Sequence, residues 1–489
     1  MRGFFRPSNL FMKQLILAFF FNVTLLFISC KESTLPVVDW ENIPNTPAPY
    51  GATPTPEQIA WQKLEYYMFV HFGPNTFTDM EWGSGLEDPK VFYPTSLDCR
   101  QWVYIAKQAG MKAIIFTAKH HDGFCLWPSN YSSHTVRESD WKDGKGDVLK
   151  ELSDACREYN IKLGIYLSPW DRNHPTYGSD EYNRVFKNTL TEALGNYGNI
   201  FEQWFDGANG EGPNGKVQVY DWELFDNTVY ELQPQAVIFG GLRPTVRWAG
   251  NEKGYAGETN WSTYTYGKKE FRETGIENGE VWSSAECDVS IRPGWFYSSS
   301  TDDKVKTLEQ LMDIYFTSVG RNATLLLNVP PDRRGLIHPN DSARLMEVRE
   351  VIDKTFQKNL LTNAKISADS QRDDSKYFIP ERMIDGIYDS YWATPDNQLT
   401  AVIELELKKE ESFDCLMLQE YIPLGQRVKA FSVEYRNGNE WVLIDSQTTI
   451  GYKRLLRFPV VTAKKIRINI EKSLACPTIN NIGLYKVEL

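Results

Sequence analysis

Two stretches decide the fold. Lys112-Ala-Ile-Ile-Phe-Thr117 runs into Ala118-Lys119-His120-His121-Asp122-Gly123-Phe124, and Asn199-Ile-Phe-Glu-Gln-Trp-Phe205 runs into Asp206-Gly207. Each begins as a short apolar run, the pattern of a strand buried on both faces. Each ends in ionisable residues followed by glycine. Where parallel strands close into a barrel, chemistry is housed at their C-terminal ends. His and Asp at such ends describe a pocket that holds a polar substrate and attacks it.

The same alternation extends outward in both directions. Pro94–Asp98 opens helical spacing over Cys99–Ala109, which Gly110 ends. Asp147–Tyr159 is amphipathic and precedes the apolar run Ile161–Ser168. Helices are expected at 180–197, 221–232 and 304–319, before the runs at 199–205, Ala236–Gly240 and Ala323–Val329; Asp341–Lys358 is a last helix. Strand, crossover helix, strand, with uniformly apolar strands, means a parallel sheet covered on both faces. The fold expected over 56–360 is an α/β (β/α)8-like barrel. A doubly wound sheet is the competing architecture, but no Gly-x-Gly-x-x-Gly follows a strand. From 361 to 489 the period shortens to two, as in Ala401-Val-Ile-Glu-Leu-Glu-Leu407 and Lys465-Ile-Arg-Ile-Asn-Ile470. That pattern predicts an all-β antiparallel sandwich.

Arg2, Arg6 and Lys13 precede the apolar run Leu15–Ile28, which ends at Ser29-Cys30. Residues 1–30 read as a secretory signal peptide. Ser29-Cys30 resembles the end of a bacterial lipoprotein signal, where the cysteine is lipidated. The Pro-rich segment 31–55 reads as a tether. The expectation is an envelope protein, a periplasmic or outer-membrane lipoprotein anchored through Cys30, or a secreted one. Cys99, Cys125, Cys156, Cys287, Cys415 and Cys476 show no CxxC or metal-finger spacing and read as buried thiols. A net charge of −11, with no Lys/Arg block, argues against a nucleic-acid or anionic-membrane partner. Fifteen Trp suit the apolar faces of sugars, although most are expected in the core.

His71 closes the run Tyr66–Val70, again at a strand end. His120 and His121 would point to opposite faces of a regular strand, so both reach one pocket only if the chain turns, which Asp122-Gly123 permits. Beside Asp206, Gly207 leaves room for a ligand, while Trp204 and Phe205 exclude water. A helix-capping Asp is the plainer reading. The Gly-rich loop that follows weakens it. A glycosidase needs a second carboxyl, about 5 Å away if it works with retention. Glu252, Glu258, Glu286 and Glu81 are all available, and spacing alone does not choose. His residues at strand ends also suit Zn²⁺, so a metal-dependent barrel hydrolase remains an alternative. A non-catalytic glycan-binding protein is another.

Taken together, Phe69-Val-His71-Phe-Gly73, Glu81-Trp82, Ala118–Phe124, Gly164-Ile-Tyr166, Trp204-Phe-Asp206-Gly207 and Leu326-Leu-Asn328-Val-Pro330-Pro331-Asp332 resemble the α-L-fucosidases of glycoside hydrolase family 29. The likeness runs from about Trp61 to Asp332. It implies a (β/α)8-like barrel that hydrolyses terminal α-L-fucose with retention, using no metal and no other cofactor. Asp206 would be the nucleophile. His71, Glu81, His120, His121 and Tyr166 would hold the fucose hydroxyls, with Trp127 and Trp295 along its apolar side. Arg247-Trp-Ala-Gly-Asn-Glu252 resembles the branch that cleaves α-1,3- and α-1,4-linked fucose from Lewis-type glycans. That makes Glu252 the acid/base, with Glu258 next, and fucosylated glycans the partners. Met383-Ile-Asp385-Gly386-Ile-Tyr-Asp389-Ser-Tyr-Trp392 resembles discoidin-type, galactose-binding-like sandwiches. Some of these bind sugars or Ca²⁺, but a packing role is expected here.

Overall fold

A computed structural model describes residues 43–373 and 376–489. The expected signal peptide, Cys30 and the first part of the expected tether lie outside the described residues. Eight strands form a closed parallel barrel: β1 Tyr66–Val70, β2 Ala113–Lys119, β3 Lys162–Leu167, β4 Ile200–Trp204, β5 Val237–Phe239, β6 Val246–Trp248, β7 Ser284–Ser290 and β8 Ala323–Asn328. Around the barrel they follow chain order, and β8 pairs back onto β1 with Tyr66 opposite Leu325.

The crossover helices have local causes. Asp98 accepts hydrogen bonds from the Arg100 and Gln101 N–H groups at the start of Cys99–Gln108, and Asp147 caps Val148–Tyr159 through Lys150. Thr307 and Gln310 form a reciprocal box at Leu308–Ser318. Each such cap contributes about 1 kcal/mol. The helices bury their apolar faces on the outward side chains of the strands, such as Met68, Ile114, Phe116 and Ile165. The inward side chains Tyr67, Phe69, Ile115, Tyr166, Trp204, Phe239 and Leu326 fill the lumen over Trp61.

Two strands escape the sequence pattern. Strand β6 is three residues long and follows β5 through the loop 240–245 with no crossover helix. Strand β7 is buried at every position, yet it carries Ser284, Glu286, Asp288 and Ser290. These four share one face of the strand, so the polarity belongs to the lumen.

From Lys365 onward the chain is an antiparallel sandwich: β9 Lys365–Ala368, β10 Trp392–Ala393, β11 Ala401–Glu420, β12 Val428–Asn437, β13 Glu440–Gln447, β14 Arg454–Ser473 and β15 Thr478–Tyr485. The order is β10-β15-β11-β14-β12-β13, with β9 on β11. Burial alternates along Ala401–Leu407, as the period of two requires. The sandwich packs under the N-terminal end of the barrel. Asn322, just before β8, donates its N–H to the Lys453 carbonyl at 2.9 Å and accepts from the Tyr452 N–H at 2.7 Å. The Tyr452 hydroxyl and the Lys453 ammonium both meet Glu65 Oε1, at 2.9 and 2.6 Å.

The described part of the expected tether is held in place. Tyr50 donates its N–H to the Leu424 carbonyl at 3.0 Å, and Arg427 reaches the Ala48 carbonyl at 2.7 Å. Its prolines leave few backbone donors, and sandwich donors satisfy its carbonyls instead. The six cysteines from Cys99 to Cys476 are buried free thiols.

Candidate active site

The C-terminal ends of β1, β2, β3, β4 and β8 bring His71, His120, His121, Tyr166, Asp206 and Asn328 together. Asn328 uses its amide N–H groups on Ser290 Oγ and the Trp295 carbonyl, at 2.9 and 2.8 Å. Its Oδ1 is therefore the acceptor for His71 Nδ1–H at 2.8 Å, and His71 Nε2 is left as an acceptor. Burial pushes the His71 pKa down to about 3. The chain does turn at Asp122-Gly123, where Gly123 adopts φ +84°, and the adjacent His120 and His121 rings lie 4.1 Å apart. Burial holds the His120 pKa well below its ordinary value, and Nδ1 of its ring is buried without a protein partner. His121 Nδ1 is 2.7 Å from Ser168 Oγ, and burial pushes its pKa down to about 4 against the pull of Asp206. All three imidazoles are thus neutral near pH 7.

Asp206 closes β4. Its Oδ2 accepts from the Tyr166 hydroxyl at 2.9 Å and lies 3.7 Å from His121 Nε2, while Oδ1 accepts from the Ala208 N–H at 2.7 Å. The side chain is 24% exposed. The Trp204 ring stacks on Tyr166 at 5.1 Å and on Phe239 at 4.0 Å, which gives the carboxylate a rigid aromatic floor.

Glu81 arrives on the long loop after β1. Its Oε2 accepts from the Trp295 N–H at 2.8 Å. Burial raises its pKa, and the nearby charge of Glu252 adds to the rise. Gly294 has φ +80°, and a Cβ there would lie 2.3 Å from Glu81 Oε1, so only glycine admits this approach. Trp295 packs 5.1 Å from His71 and 6.1 Å from Phe69.

The carboxyl candidates separate by barrel end. Glu252 is exposed on the loop after β6, at the mouth, and its charge reaches both Glu81 and Asp288. Glu258 lies at the opposite end: its carbonyl accepts from Arg454 at 2.6 Å and its side chain is 3.7 Å from Arg321. Glu286 is sealed in the lumen, where it receives the Tyr67 hydroxyl and the Trp204 indole N–H, the latter at 2.8 Å.

Trp127 is a correction. It is 2% exposed, and its indole N–H points at Glu192 on the outer helix Asp180–Asn196, at 3.3 Å. After His121 the chain leaves the mouth and folds outward, with the Leu126 N–H returning to the Ala118 carbonyl at 2.9 Å. Trp127 therefore joins the core between sheet and helices.

Four neighbours of the cluster were not singled out from the sequence. Asn328 orients His71. Phe296 packs 5.4 Å from His71 and 5.0 Å from His120. Trp170 lies 4.9 Å from His121, and Trp82, 57% exposed, stands 6.2 Å from it. Asn328 and Trp82 sit inside the quoted motifs, so their neighbours were the available signal. Phe296 directly follows Trp295, which was the signal for it, whereas Trp170 carried none. Among the described residues no three His, Cys, Asp or Glu side chains converge as metal ligands.

Comparison with known proteins agrees with this geometry. The α-L-fucosidase family model matches residues 51–355, and the F5/8 type C domain model matches 365–485. Alpha-L-fucosidase 1 of Arabidopsis thaliana is 43% identical over 479 residues, which cover 96% of this chain and 92% of that one. The crystal structure of the Ruminococcus gnavus GH29 fucosidase in complex with fucose is 37% identical, with a TM-score of 0.85 over 91% of this chain and 97% of that one. A glycoside hydrolase 29 family member from an unknown rumen bacterium is 42% identical, with a TM-score of 0.81 over 90% and 78%. With a pocket of neutral imidazoles around one strand-end carboxylate, and likeness of this depth along both domains, the chain belongs to the GH29 α-L-fucosidases and is a glycoside hydrolase that carries a C-terminal F5/8 type C domain.

Proposed function

We propose that the protein is an exported, retaining α-L-fucosidase that removes α-1,3- and α-1,4-linked fucose from Lewis-type branched glycans. The observation that carries this reading is the Asp206 carboxylate, fixed by Tyr166 and Ala208 and open to the pocket. In the first step an Asp206 oxygen attacks the anomeric carbon. The bond to the glycosidic oxygen breaks, and that oxygen takes the proton of the Glu252 carboxylic acid. In the second step the Glu252 carboxylate takes a proton from water, whose oxygen attacks the anomeric carbon and frees Asp206. His71, His120 and His121 hydrogen-bond the sugar hydroxyls. As neutral rings they place no cation beside the positive charge that develops on the fucosyl ring. Trp295 and Phe296 offer the apolar wall for the fucose methyl group.

Fucose release from an aryl α-L-fucoside, an α-1,2-linked fucoside and a Lewis-type trisaccharide tests the linkage. The trisaccharide is expected to exceed the α-1,2 substrate by at least about 10²-fold in kcat/KM, the scale of selectivity that pocket contacts achieve. Equal release from the α-1,2 substrate overturns the linkage assignment and keeps the fucosidase. The export reading rests on the leader sequence. Metabolic labelling with a fatty acid is expected to mark the wild-type protein and to leave Cys30→Ala unmarked, and an unlabelled wild-type protein overturns the lipid anchor.

A further inference from the structure

The barrel lumen holds carboxyls that the two-step mechanism does not use, and Asp288 is the one nearest the mouth. It lies on β7, one inward position beyond Glu286, and is 4% exposed. Its Oδ1 accepts the Trp248 indole N–H at 2.7 Å. Besides burial, the groups that act on it most are the Trp248 indole, the charges of Glu286 and Glu252, and its own backbone. Burial, followed by the charges of Glu286 and Glu252, holds the Asp288 pKa well above the carboxylate range.

Trp248 is the last residue of β6 and the first fixed point of the segment that carries Glu252. The Arg272 guanidinium lies 5.2 Å from its ring. Beyond it, the Ala249 N–H donates to the Glu286 carbonyl at 2.8 Å, and the Asn251 amide reaches the Tyr255 carbonyl at 3.0 Å. Glu252 itself is exposed at the tip. Its aim therefore depends on the anchor beneath it, and that anchor ends at Asp288 inside the barrel.

We propose that Asp288 is a positioning residue that aims Glu252 by holding the Trp248 indole. The inference rests on the assignment of Glu252 as acid/base. When the anchor is lost, the proton reaches the glycosidic oxygen poorly. A nitrophenolate leaving group needs no proton, so its departure is spared.

The test compares kcat/KM for a 4-nitrophenyl α-L-fucoside and a Lewis-type trisaccharide in Asp288→Ala, Trp248→Phe, the double variant and Glu252→Ala. For Asp288→Ala and for Trp248→Phe, trisaccharide kcat/KM is expected to fall about 10- to 100-fold, the scale of a misaimed group. The nitrophenyl value is expected to stay within about threefold of wild type, while its kcat and KM fall together because the second step still needs Glu252. The double variant should lose no more than the worse single variant, since both remove one contact. Asp288→Asn still accepts the indole N–H and is expected to restore most of the trisaccharide rate.

Equal losses on both substrates, no loss at all, or multiplying losses in the double variant overturn the inference. Trp248→Phe removes the indole donor and keeps a smaller aromatic ring, so it carries the test if Asp288→Ala fails to fold. If Glu252→Ala shows no leaving-group dependence, the acid/base assignment fails and takes this inference with it. If Glu252→Ala shows that dependence and Asp288→Ala does not, the inference fails alone.

Discussion

Asp206→Ala is expected to lower kcat/KM at least about 10³-fold on every fucoside, aryl substrates included, because loss of a covalent nucleophile removes the reaction path itself. Folding should survive. The side chain is 24% exposed and accepts hydrogen bonds from Tyr166 and Ala208 among the described residues, so the variant opens a small solvent-facing gap in the pocket wall. That gap also provides the decisive check. Azide fits where the carboxylate stood and attacks the anomeric carbon directly, so it should restore departure of an aryl leaving group and give a fucosyl azide of inverted configuration. Normal turnover by Asp206→Ala, measured on protein with an unchanged circular dichroism spectrum, would remove Asp206 from the role of nucleophile.

The largest effect on stability is expected from Lys119→Met. Lys119 ends β2, and its ammonium lies 3.1 Å from Asp171 Oδ2 and 2.8 Å from the Ser168 carbonyl. The two side chains are 3% and 4% exposed. Asp171 keeps the N–H groups of Asn173 and His174, at 2.9 and 2.8 Å, but loses its only ion-pair partner among the described residues. Removing one member of a buried pair costs about 3–5 kcal/mol.

The pH dependence has a definite sign. Burial alone would raise the Asp171 pKa, but Lys119 and the backbone donors hold it below the ordinary carboxylate value. A group with a depressed folded pKa stabilises above its unfolded pKa of about 3.9, and that stability is lost as pH falls through the folded value. In the variant the buried carboxylate is unpaired, so its penalty is full at neutral pH and shrinks toward pH 4. Denaturant titrations of both proteins at pH 7 and pH 4.5 measure the difference. A gap that does not narrow on acidification would mean that lost packing, and not the stranded charge, is responsible. Lys119→Met/Asp171→Asn should recover much of the loss at pH 7. Because Ser168 also holds His121, activity is expected to fall with stability in the single variant.

Much of this molecule was legible in the chain itself. Six of the eight barrel strands announce themselves as apolar runs, since parallel strands buried on both faces leave no polar alternation. The sandwich announces itself in the alternation of Ala401–Leu407 for the opposite reason: one face packs and the other is wet or half-covered. His71, His120, His121 and Asp206 stand out because ionisable residues at the ends of apolar runs have few structural uses.

Tertiary structure decided the rest. Strand β7 reads as polar because Glu286 and Asp288 face a lumen that supplies the donors Tyr67, Trp204 and Trp248, and those donors come from strands far away in sequence. Spacing alone does not separate Glu252 from Glu258, although the motif around Glu252 favours it. The closed barrel parts them physically, with one at the mouth and the other against Arg321 and Arg454 of the sandwich junction. Trp127, four residues past a catalytic-looking turn, falls into the core because the chain there folds back on Ala118. Periodicity in a sequence records which faces are buried. Which end of the barrel a side chain occupies, and which partner meets it there, depends on long-range closure, and that is written only in three dimensions.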